Sequence, residues 1–478
     1  MRTILLDSLA AWWPEIVLSL GGLFVLVLGA VAPRRRPVLA ASGVALAAAA
    51  WALWHAPVPP STDVFFGMVL CDRFSLAFRW FTLGVLALSA LLIAGSREVH
   101  EQVHGEYLAL VLFAGVGMML MAEANHLLIA YVAMELVSLS SYAMVGLTQD
   151  ARSAEASLKY LLFGALASGV MLFGMSLVYG LTGSLAFADI QHSVAALSGP
   201  MAKTLLAAVA LVLTGLAFKI SMVPFHMWTP DAYEGAPVPV TAFLSVGPKA
   251  AGLALLLRLT EVMAPIWPSL APLLMGLAIA TMTLGNLVAL VQRNVKRLLA
   301  YSTIAQVGYL LIGFVVQTRQ GLEALLFYLV AYLFMNMGAF AAVVAVVRDT
   351  GSESIEAFRG LSQRSPALAA LTTLFLLSLA GIPPLAGFLG KFLLFGAAVE
   401  SGRLPLAIAG LMNSAIALYY YVNIIGQMYL AAPSKGPLRA SFPIRLAVSV
   451  CGVLSLGLGL WPSAILLLVR ASSQVNLL

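Results

Sequence analysis

Apolar stretches of about 20 residues recur along almost the whole chain, separated by short segments that carry glycine, proline and charged residues. A helix of about 20 apolar residues spans the hydrocarbon core of a bilayer. Of the 478 residues, 62% are hydrophobic and only 10% are charged, whereas a soluble protein carries about 25% charged residues to solvate its surface. The sequence therefore predicts an all-α integral membrane protein whose outer surface faces lipid.

With glycine, proline and charged residues taken as breaks, the apolar pattern predicts fourteen transmembrane helices. Their expected ranges are 15–32, 38–56, 74–94, 106–122, 125–147, 155–181, 203–229, 238–262, 268–291, 297–317, 322–347, 366–399, 404–430 and 444–469. The loops are too short to hold an extramembrane domain, so any function has to be carried out within the bilayer.

Lysine and arginine residues are unevenly distributed between the predicted loops. Fourteen lie in loops that follow odd-numbered spans, and six lie on the opposite side, which includes both termini. Cytoplasmic loops of membrane proteins are enriched in lysine and arginine. We therefore expect a multi-pass protein of the bacterial cytoplasmic membrane with both termini on the outer side.

Five ionisable residues fall inside the predicted spans: Glu135, Lys159, Lys219, Lys249 and Lys391. Each costs about 2.5–3.5 kcal/mol to insert at the bilayer centre, so such side chains face protein or water. A static salt bridge would account for one Glu–Lys pair and would leave three lysines without an acidic partner. Burial favours the neutral form of a lysine and a nearby carboxylate favours the charged form. This surplus of lysines therefore favours a proton or ion path.

Two of these lysines lie in helices that the sequence predicts to be broken. Pro224 follows Lys219 by five residues, and Pro383 and Pro384 precede Lys391. A proline removes a backbone donor and kinks or breaks a helix, and in lipid the freed carbonyls need protein or water partners. The two breaks are five spans apart, and this odd number predicts two inverted five-helix repeats, spans 4–8 and 9–13, as in many transporters. Prolines alone could also serve only to kink helices for packing.

Polar residues at helical spacing lie near the charged positions. Four stripes each occupy one helix face: Glu135, Ser138 and Tyr142; Thr241, Ser245 and Lys249; Ser302, Gln306 and Tyr309; Tyr328, Tyr332 and Asn336. One stripe could be interhelical hydrogen-bond glue, but four together favour the lining of a hydrated path. His226, just past the first break, is a candidate proton carrier between the two halves, with a purely structural role as the alternative.

Resident cofactors and nucleic acid find no support in the sequence. The two cysteines, Cys71 and Cys451, are too few and too far apart for iron–sulfur clusters, a structural zinc or a disulfide scaffold. Neither a glycine-rich dinucleotide fingerprint nor a phosphate-binding loop is present. We expect no metal and no cofactor-binding residue in this chain.

Three segments resemble the antiporter-like membrane subunits of respiratory complex I and their Mrp-type antiporter relatives. They are KISMVPFHMWTPDAYEGAPVPVTAFLSVGPKAAG (219–252), RLLAYSTIAQVGYLLIG (297–313) and GIPPLAGFLGKF (381–392). Within that family the segments are most similar to the N-subunit branch of bacterial NADH–quinone oxidoreductases. Relatives in the M branch have a glutamate where this chain has Lys391, and Mrp subunits generally lack the DAYEGAPVPV run.

The resemblance implies a role for each matching residue in a proton relay. Glu135 and Lys219 would form a pair whose separation tunes the proton affinity of Lys219, and Lys249 would be the central relay. Lys391 would exchange protons with the outward side, and Lys159 would belong to the entry region or the ion-pair relay.

The resemblance also implies partners. Membrane and peripheral subunits of the complex, including neighbouring antiporter-like subunits, would carry NADH, FMN, iron–sulfur clusters and quinone, and their redox chemistry would drive proton translocation here.

The predicted parts of the chain are an N-terminal three-helix segment (1–105), a first repeat (106–262), a second, inverted repeat (263–430) and a C-terminal helix (431–478). Two alternative functions stay open at this point. One is a Mrp-type cation/proton antiporter subunit or a membrane-bound hydrogenase subunit. The other is a passive scaffold whose buried charges only fix helix register.

Overall fold

The computed structural model of the chain describes residues 2–56, 64–196, 199–433 and 435–473. Within these ranges the backbone is helical and its only β pairing consists of isolated bridges between loops. Thirteen of the described helices are long and apolar enough to cross a membrane. The predicted span 366–399 is formed by two shorter helices in sequence, Pro366–Ala380 and Ala386–Glu400. Together with the thirteen, this pair gives the expected fourteen spans.

The N-terminal segment contains four helices, of which the last three are candidate spans. Their bounds are Arg2–Ala11 (α1), Trp13–Val31 (α2), Arg35–His55 (α3) and Arg73–Gly95 (α4). The short helix α1 was not predicted from the sequence.

The first repeat contains five crossings, the fourth of which is broken. Its helices are His104–Glu123 (α5), Leu127–Gly146 (α6), Ala151–Thr182 (α7), Phe187–Ala196 (α8), Gly199–Ile220 (α9), Trp228–Gly235 (α10) and Val238–Met263 (α11). The break separates α9 from α10, and the short helix α8 was not predicted.

The second repeat has the same plan, and two more helices end the described chain. The bounds are Trp267–Ala289 (α12), Val295–Val316 (α13), Arg319–Thr350 (α14), Leu361–Arg364 (α15), Pro366–Ala380 (α16), Ala386–Glu400 (α17), Leu404–Leu430 (α18), Phe442–Leu460 (α19) and Ser463–Ser472 (α20). Single 3₁₀ turns cover Glu101–Val103, Ala264–Ile266 and Ile355–Phe358. The predicted last span, 444–469, is too long, because the chain turns at Leu460.

Matching backbone hydrogen bonds relate the two repeats at a constant spacing of 168 residues. The amide of Leu127 donates to the carbonyl of Leu185 at 2.9 Å, and the amide of Val295 donates to the carbonyl of Glu353 at 2.8 Å. The bridge between His126 and Ala186 likewise corresponds to a bridge between Asn294 and Ser354. The repeat predicted from the two breaks is therefore present in the backbone itself.

The long helices α7 and α14 end in the same way. Each has 32 residues and terminates at a glycine in the left-handed region, Gly183 with φ 73° and Gly351 with φ 69°. A side chain is disfavoured at such a position. Five crossings separate each residue of the first copy from its counterpart, and this odd number places equivalent hairpins on opposite membrane faces. The repeats are therefore inverted, as predicted.

Burial separates the protein-facing helices from the lipid-facing ones. The apolar windows of α11, α13 and α14 are 100%, 94% and 89% buried, whereas those of α2, α18 and α19 are each 33% buried. Large apolar side chains such as Phe24, Leu162 and Leu411 are exposed on the outer helices. Such residues face lipid in a membrane protein, and the buried helices bring the polar stripes into the interior.

Candidate functional site

The first broken helix is interrupted after Ile220, and the buried residue Lys219 lies in the last turn of α9. Ser221, the first residue beyond α9, has a φ of 64° and leaves the helical path. The carbonyl of Phe218, next to the break, accepts hydrogen bonds from the amide of Ser221 at 3.0 Å and from Trp228 Nε1 at 3.1 Å. The amide of Val223 donates to Thr281 of α12 at 3.1 Å. The break is therefore stabilised by protein partners, as backbone groups at membrane depth require.

Lys219 makes its side-chain hydrogen bond with Ser138 of α6. Its Nζ atom donates to Ser138 Oγ at 3.0 Å. Glu135 lies one helical turn away on α6, is only partly buried, and accepts a hydrogen bond from Ser168 of α7. The structure thus brings the predicted pair to the same place but not into a direct ion pair, because Ser138 occupies the position next to the ammonium group.

Lys249 lies at the centre of the molecule on α11, directly after Pro248. Among the described residues, no side chain or carbonyl hydrogen-bonds with its Nζ atom. Two ring faces hold it instead, with the Trp228 centroid 4.7 Å and the Tyr233 centroid 5.1 Å from Nζ. Trp228 is in turn stacked on Tyr160 at 4.0 Å. Aromatic faces attract a cation, so these two rings can accommodate the ammonium group of Lys249 without a carboxylate.

Lys391 lies on α17, beyond the second break. Its Nζ atom donates to the carbonyl of Leu379 at 3.0 Å and to that of Ala380 at 3.2 Å, both at the end of α16. The ring of Tyr309 lies 4.2 Å away. The broken helix thus supplies neutral acceptors for a buried ammonium group, and no described carboxylate forms an ion pair with it.

Glycine is required where the two halves of this second broken helix approach each other. Gly381 ends α16 with a φ of 91°. A Cβ atom on Gly387 would lie 1.8 Å from the carbonyl oxygen of Ser378. The amide of Gly387 also donates to Ser378 Oγ at 3.1 Å. The glycines of the sequence segment GIPPLAGFLGKF therefore permit the close contact that directs carbonyls at Lys391.

Two groups of hydrogen-bonded side chains lie between Lys249 and Lys391. On the Lys249 side, Asn336 donates to Ser245 Oγ at 2.6 Å, and the Tyr332 hydroxyl lies 3.1 Å from both the Ser245 carbonyl and Thr303 Oγ1.

On the Lys391 side, Tyr328 donates to Gln306, whose amide nitrogen donates to the Leu379 carbonyl at 3.1 Å. Tyr328 and Tyr332 are one turn apart on α14. The three predicted stripes on α11, α13 and α14 therefore form one polar layer between the two lysines, made of two hydrogen-bonded groups that adjoin on α14.

Several buried polar atoms near this layer have no hydrogen-bond partner within the described residues. They are the hydroxyls of Tyr142, Tyr160 and Tyr233, Nδ1 of His226 and Nζ of Lys249. Buried polar groups normally have a partner, which is often an internal water. These atoms can therefore hydrogen-bond with internal water next to the polar layer.

Two of the sequence-predicted residues take no part in the hydrogen bonds of this layer. The sequence left open which of the four lysines has an acidic partner, and Lys159 has two. Its side chain is 44% exposed and forms ion pairs with Glu155 at 2.8 Å and Asp231 at 3.2 Å. His226 lies in the 221–227 turn between α9 and α10 and is buried.

A charged network between the two repeats was missed by sequence reasoning. Lys296, at the start of α13, donates to Glu353 at 2.6 Å and to the carbonyl of Ala236 at 2.7 Å. Arg152 of α7 also contacts Glu353 at 2.7 Å. Burial raises the pKa of Glu353, but the charge of Lys296 and these hydrogen bonds outweigh it, so the pKa lies below its usual value. A carboxylate in a loop is not distinctive in a sequence, so only the three-dimensional arrangement identifies it.

A second missed cluster is fully buried near the N-terminus. Glu15, Arg79 and Glu123 form a three-charge group in which neither glutamate is exposed. Glu15 and Glu123 fall at the ends of the predicted spans 15–32 and 106–122, and Glu135 is the one carboxylate among the five ionisable residues predicted inside spans. The interior therefore contains more acidic groups than predicted.

Comparison with known proteins places this geometry among related chains. Residues 124–417 match the profile of the family described as NADH:quinone oxidoreductase/Mrp antiporter, TM. The chain is 40% identical to a protein of Anaeromyxobacter sp. named NADH-quinone oxidoreductase subunit N, with 98% of this chain and 97% of the relative covered. It is 45% identical to a protein of the same name from Sphingopyxis alaskensis, with coverages of 88% and 89%.

A solved structure of respiratory complex I from Thermus thermophilus contains a similar chain, with 36% identity and a TM-score of 0.82, covering 96% of this chain and 99% of that one. A chain of an archaeal membrane-bound sulfane sulfur reductase has 26% identity and a TM-score of 0.86, with coverages of 98% and 97%.

Proposed function

Because the chain belongs to the NADH:quinone oxidoreductase/Mrp antiporter membrane family, we propose that it translocates protons as an antiporter-like membrane subunit of a bacterial NADH–quinone oxidoreductase. It would occupy the position that subunit N has in its relatives. The observation that carries this proposal is the polar layer that links buried Lys249 to buried Lys391, with Lys219 at the adjoining break.

The three lysines offer successive proton-binding sites in different surroundings. Lys219 has a hydroxyl and a nearby carboxylate, Lys249 has two aromatic faces, and Lys391 has two carbonyl groups. The long lysine side chain lets an ammonium group change partners. A small change in the position of a neighbouring charge or dipole then changes which lysine holds the proton.

The proposal also assigns the redox chemistry to other subunits. The sequence offers no cofactor motif, and within the described residues no group of three or more metal-ligating side chains is found. Electron transfer from NADH to quinone in partner subunits would shift charges at Glu135 and Lys219, and the shift would move along the layer to Lys391. Lys159 and His226 would act at the edge of this path.

Membrane orientation follows from the distribution of basic residues. We propose that the loops after odd-numbered spans face the cytoplasm and that both termini face outward. The four parts 1–105, 106–262, 263–430 and 431–478 would then be an N-terminal segment, two repeats and a C-terminal helix. A reporter fused after Leu478 should give an outer-side signal, and a cytoplasmic signal would contradict this orientation.

The relay is tested with Lys219→Ala and Glu135→Ala in the assembled complex. We expect assembly to be largely retained and proton pumping coupled to quinone reduction to fall, by about tenfold or more for Lys219→Ala, since a positioned proton-transfer group typically contributes at least that much. Lys435→Ala, at an exposed lysine, is the matched control. Normal pumping in well-assembled Lys219→Ala complexes would reject the relay and favour a scaffold role.

A chain of a Mrp complex from Dietzia shares this fold with 25% identity and a TM-score of 0.82. That similarity keeps cation/proton antiport as a second candidate. Pumping by the assembled complex that requires sodium would favour antiport, whereas pumping that is independent of sodium supports the proton relay.

A further inference from the structure

The three-charge group in the N-terminal segment has one positive and two negative members. Glu15 is on α2, Arg79 on α4 and Glu123 at the end of α5. Both glutamates are 0% exposed and Arg79 is 3% exposed. An isolated buried charge is so unfavourable that such a group usually becomes neutral instead. Two carboxylates that share one guanidinium group leave one negative charge uncompensated.

The hydrogen-bond geometry shows where a proton is lacking. Arg79 Nε carries one hydrogen, yet Glu15 Oε1 and Glu123 Oε1 both lie 2.7 Å from this nitrogen. The hydrogen is directed at Glu123, and Glu15 Oε1 is left buried without a donor. Arg79 Nη2 donates to the other oxygen of Glu15 at 3.2 Å and also contacts the Ala11 carbonyl and Cys71 Sγ, each at 3.4 Å. A proton on either carboxyl group would complete the set of donors.

Within the described residues, Arg79 is the only basic side chain that forms an ion pair with Glu15 or Glu123. Asp72 and Arg258 of α11 form their own ion pair at 2.7 Å, and Asp7 of α1 is exposed. Burial raises the pKa of the Cys71 thiol to about 12 despite the nearby Arg79, so this sulfur stays neutral. His126 uses its ring to cap α6.

We propose that Glu15 and Glu123 together bind one proton at neutral pH, and that this site in the N-terminal segment is separate from the lysine relay. With the proton bound, the group is electrically neutral. Without it, a negative charge remains buried between α2, α4 and α5.

Infrared spectroscopy of the assembled complex tests this site. We expect the spectrum at neutral pH to lose the C=O band of one protonated carboxyl group in Glu15→Gln and, equally, in Glu123→Gln. In each variant the remaining carboxylate pairs one-to-one with Arg79 and is ionised. The control is Glu323→Gln, whose carboxylate is ion-paired with Arg319 and Arg470 and should lose only carboxylate bands.

The proposal is overturned if Glu15→Gln and Glu123→Gln also lose only carboxylate bands. If neither variant assembles, Trp12→Phe provides the test. Trp12 Nε1 donates to Glu123 Oε2 at 3.1 Å, so this variant keeps every charge and removes one donor. We expect it to shift the protonated C=O band, and an unchanged spectrum overturns the proposal.

Discussion

The two five-helix repeats share a backbone plan but surround their lysines with different chemistry. In the first repeat, Lys219 hydrogen-bonds to Ser138 of α6, and Glu135 lies one turn before Ser138 on that helix. In the second repeat, Thr303 occupies the position 168 residues after Glu135. Lys391 bonds there to two backbone carbonyls. One copy therefore has an acidic side chain near its lysine, whereas the other has only neutral acceptors.

This difference separates what the duplicated backbone provides from what the side chains add. The broken helix of the second copy presents two carbonyl groups to Lys391, whereas in the first copy the Phe218 carbonyl at the break is bonded to Trp228 and Lys219 bonds to a serine side chain. A unit negative charge acts on a lysine more strongly than a dipole does, since two unit charges 4 Å apart interact with about 4 kcal/mol in a medium with an effective dielectric constant of 20. In the proposed relay, the carboxylate of the first repeat changes the proton affinity of Lys219, and Lys391 of the second repeat passes the proton on.

Substitution of Lys391 tests the role of the second copy and has the largest expected effect. Lys391→Arg keeps a positive charge but cannot release a proton, and Lys391→Met removes the charge. We expect pumping to fall by about 100-fold in both variants. Proton translocation per quinone reduced, measured in proteoliposomes, checks this result. Pumping that survives in Lys391→Arg would show that only the positive charge at this position matters. Lys391 would then not be a proton-relay site, and the two copies could not be compared as two relay sites.

Separate substitutions of Glu135 and of its counterpart Thr303 compare the two copies directly, with a smaller expected effect. Glu135→Gln removes the charge that biases Lys219 but keeps the hydrogen bond with Ser168, so we expect pumping to fall by roughly fivefold, equivalent to about 1 kcal/mol. Thr303→Val removes a neutral acceptor of Tyr332 and should reduce pumping less. Pumping rates of the two variants in parallel provide the measurement. Equal losses would mean that the acidic side chain confers no special property on the first copy.

The sequence predicts the fold well because membrane insertion constrains it so strongly. Apolar length locates the spans, and prolines next to lysines identify both broken helices. The exact correspondence of the repeats is not visible in the sequence, since His126 and Asn294 or Leu185 and Glu353 share no side-chain chemistry. Backbone hydrogen bonds preserve that correspondence, and they do not depend on residue type.

The site is predicted less completely than the fold. Helical spacing indicates which polar residues share a face, and the stripes do meet in the interior. Spacing gives no information on which partner a charged side chain selects, so the ion pairs of Lys159 and the intervening Ser138 were not predicted. Glu15 and Glu123 escaped attention because their helices place them at span ends, while only packing reveals their complete burial.

The loops that follow α7 and α14 are equivalent in the two repeats but differ in charge, and this difference gives the last prediction. Glu353 binds Lys296 and Arg152 in the second copy, whereas the equivalent Leu185 in the first copy has no charge. Because the pKa of Glu353 is lowered in the folded protein, its ionised form contributes stability above the unfolded-state pKa, and this contribution is lost as the pH falls through the folded-state pKa. Glu353→Gln should therefore destabilise the complex by about 1–3 kcal/mol at neutral pH.

The difference between wild type and Glu353→Gln should disappear on acidification below the folded-state pKa, which lies under the usual value for glutamate. Thermal inactivation across a pH series measures it. Glu356→Gln, at an exposed glutamate of the same loop, is the matched control and should show little effect at any pH. Loss of the ionised carboxylate can lower stability only at a pH where wild type still carries it. If the stability difference between wild type and Glu353→Gln stays the same at low pH, the charge of Glu353 does not stabilise this loop, and the two copies do not differ in this respect.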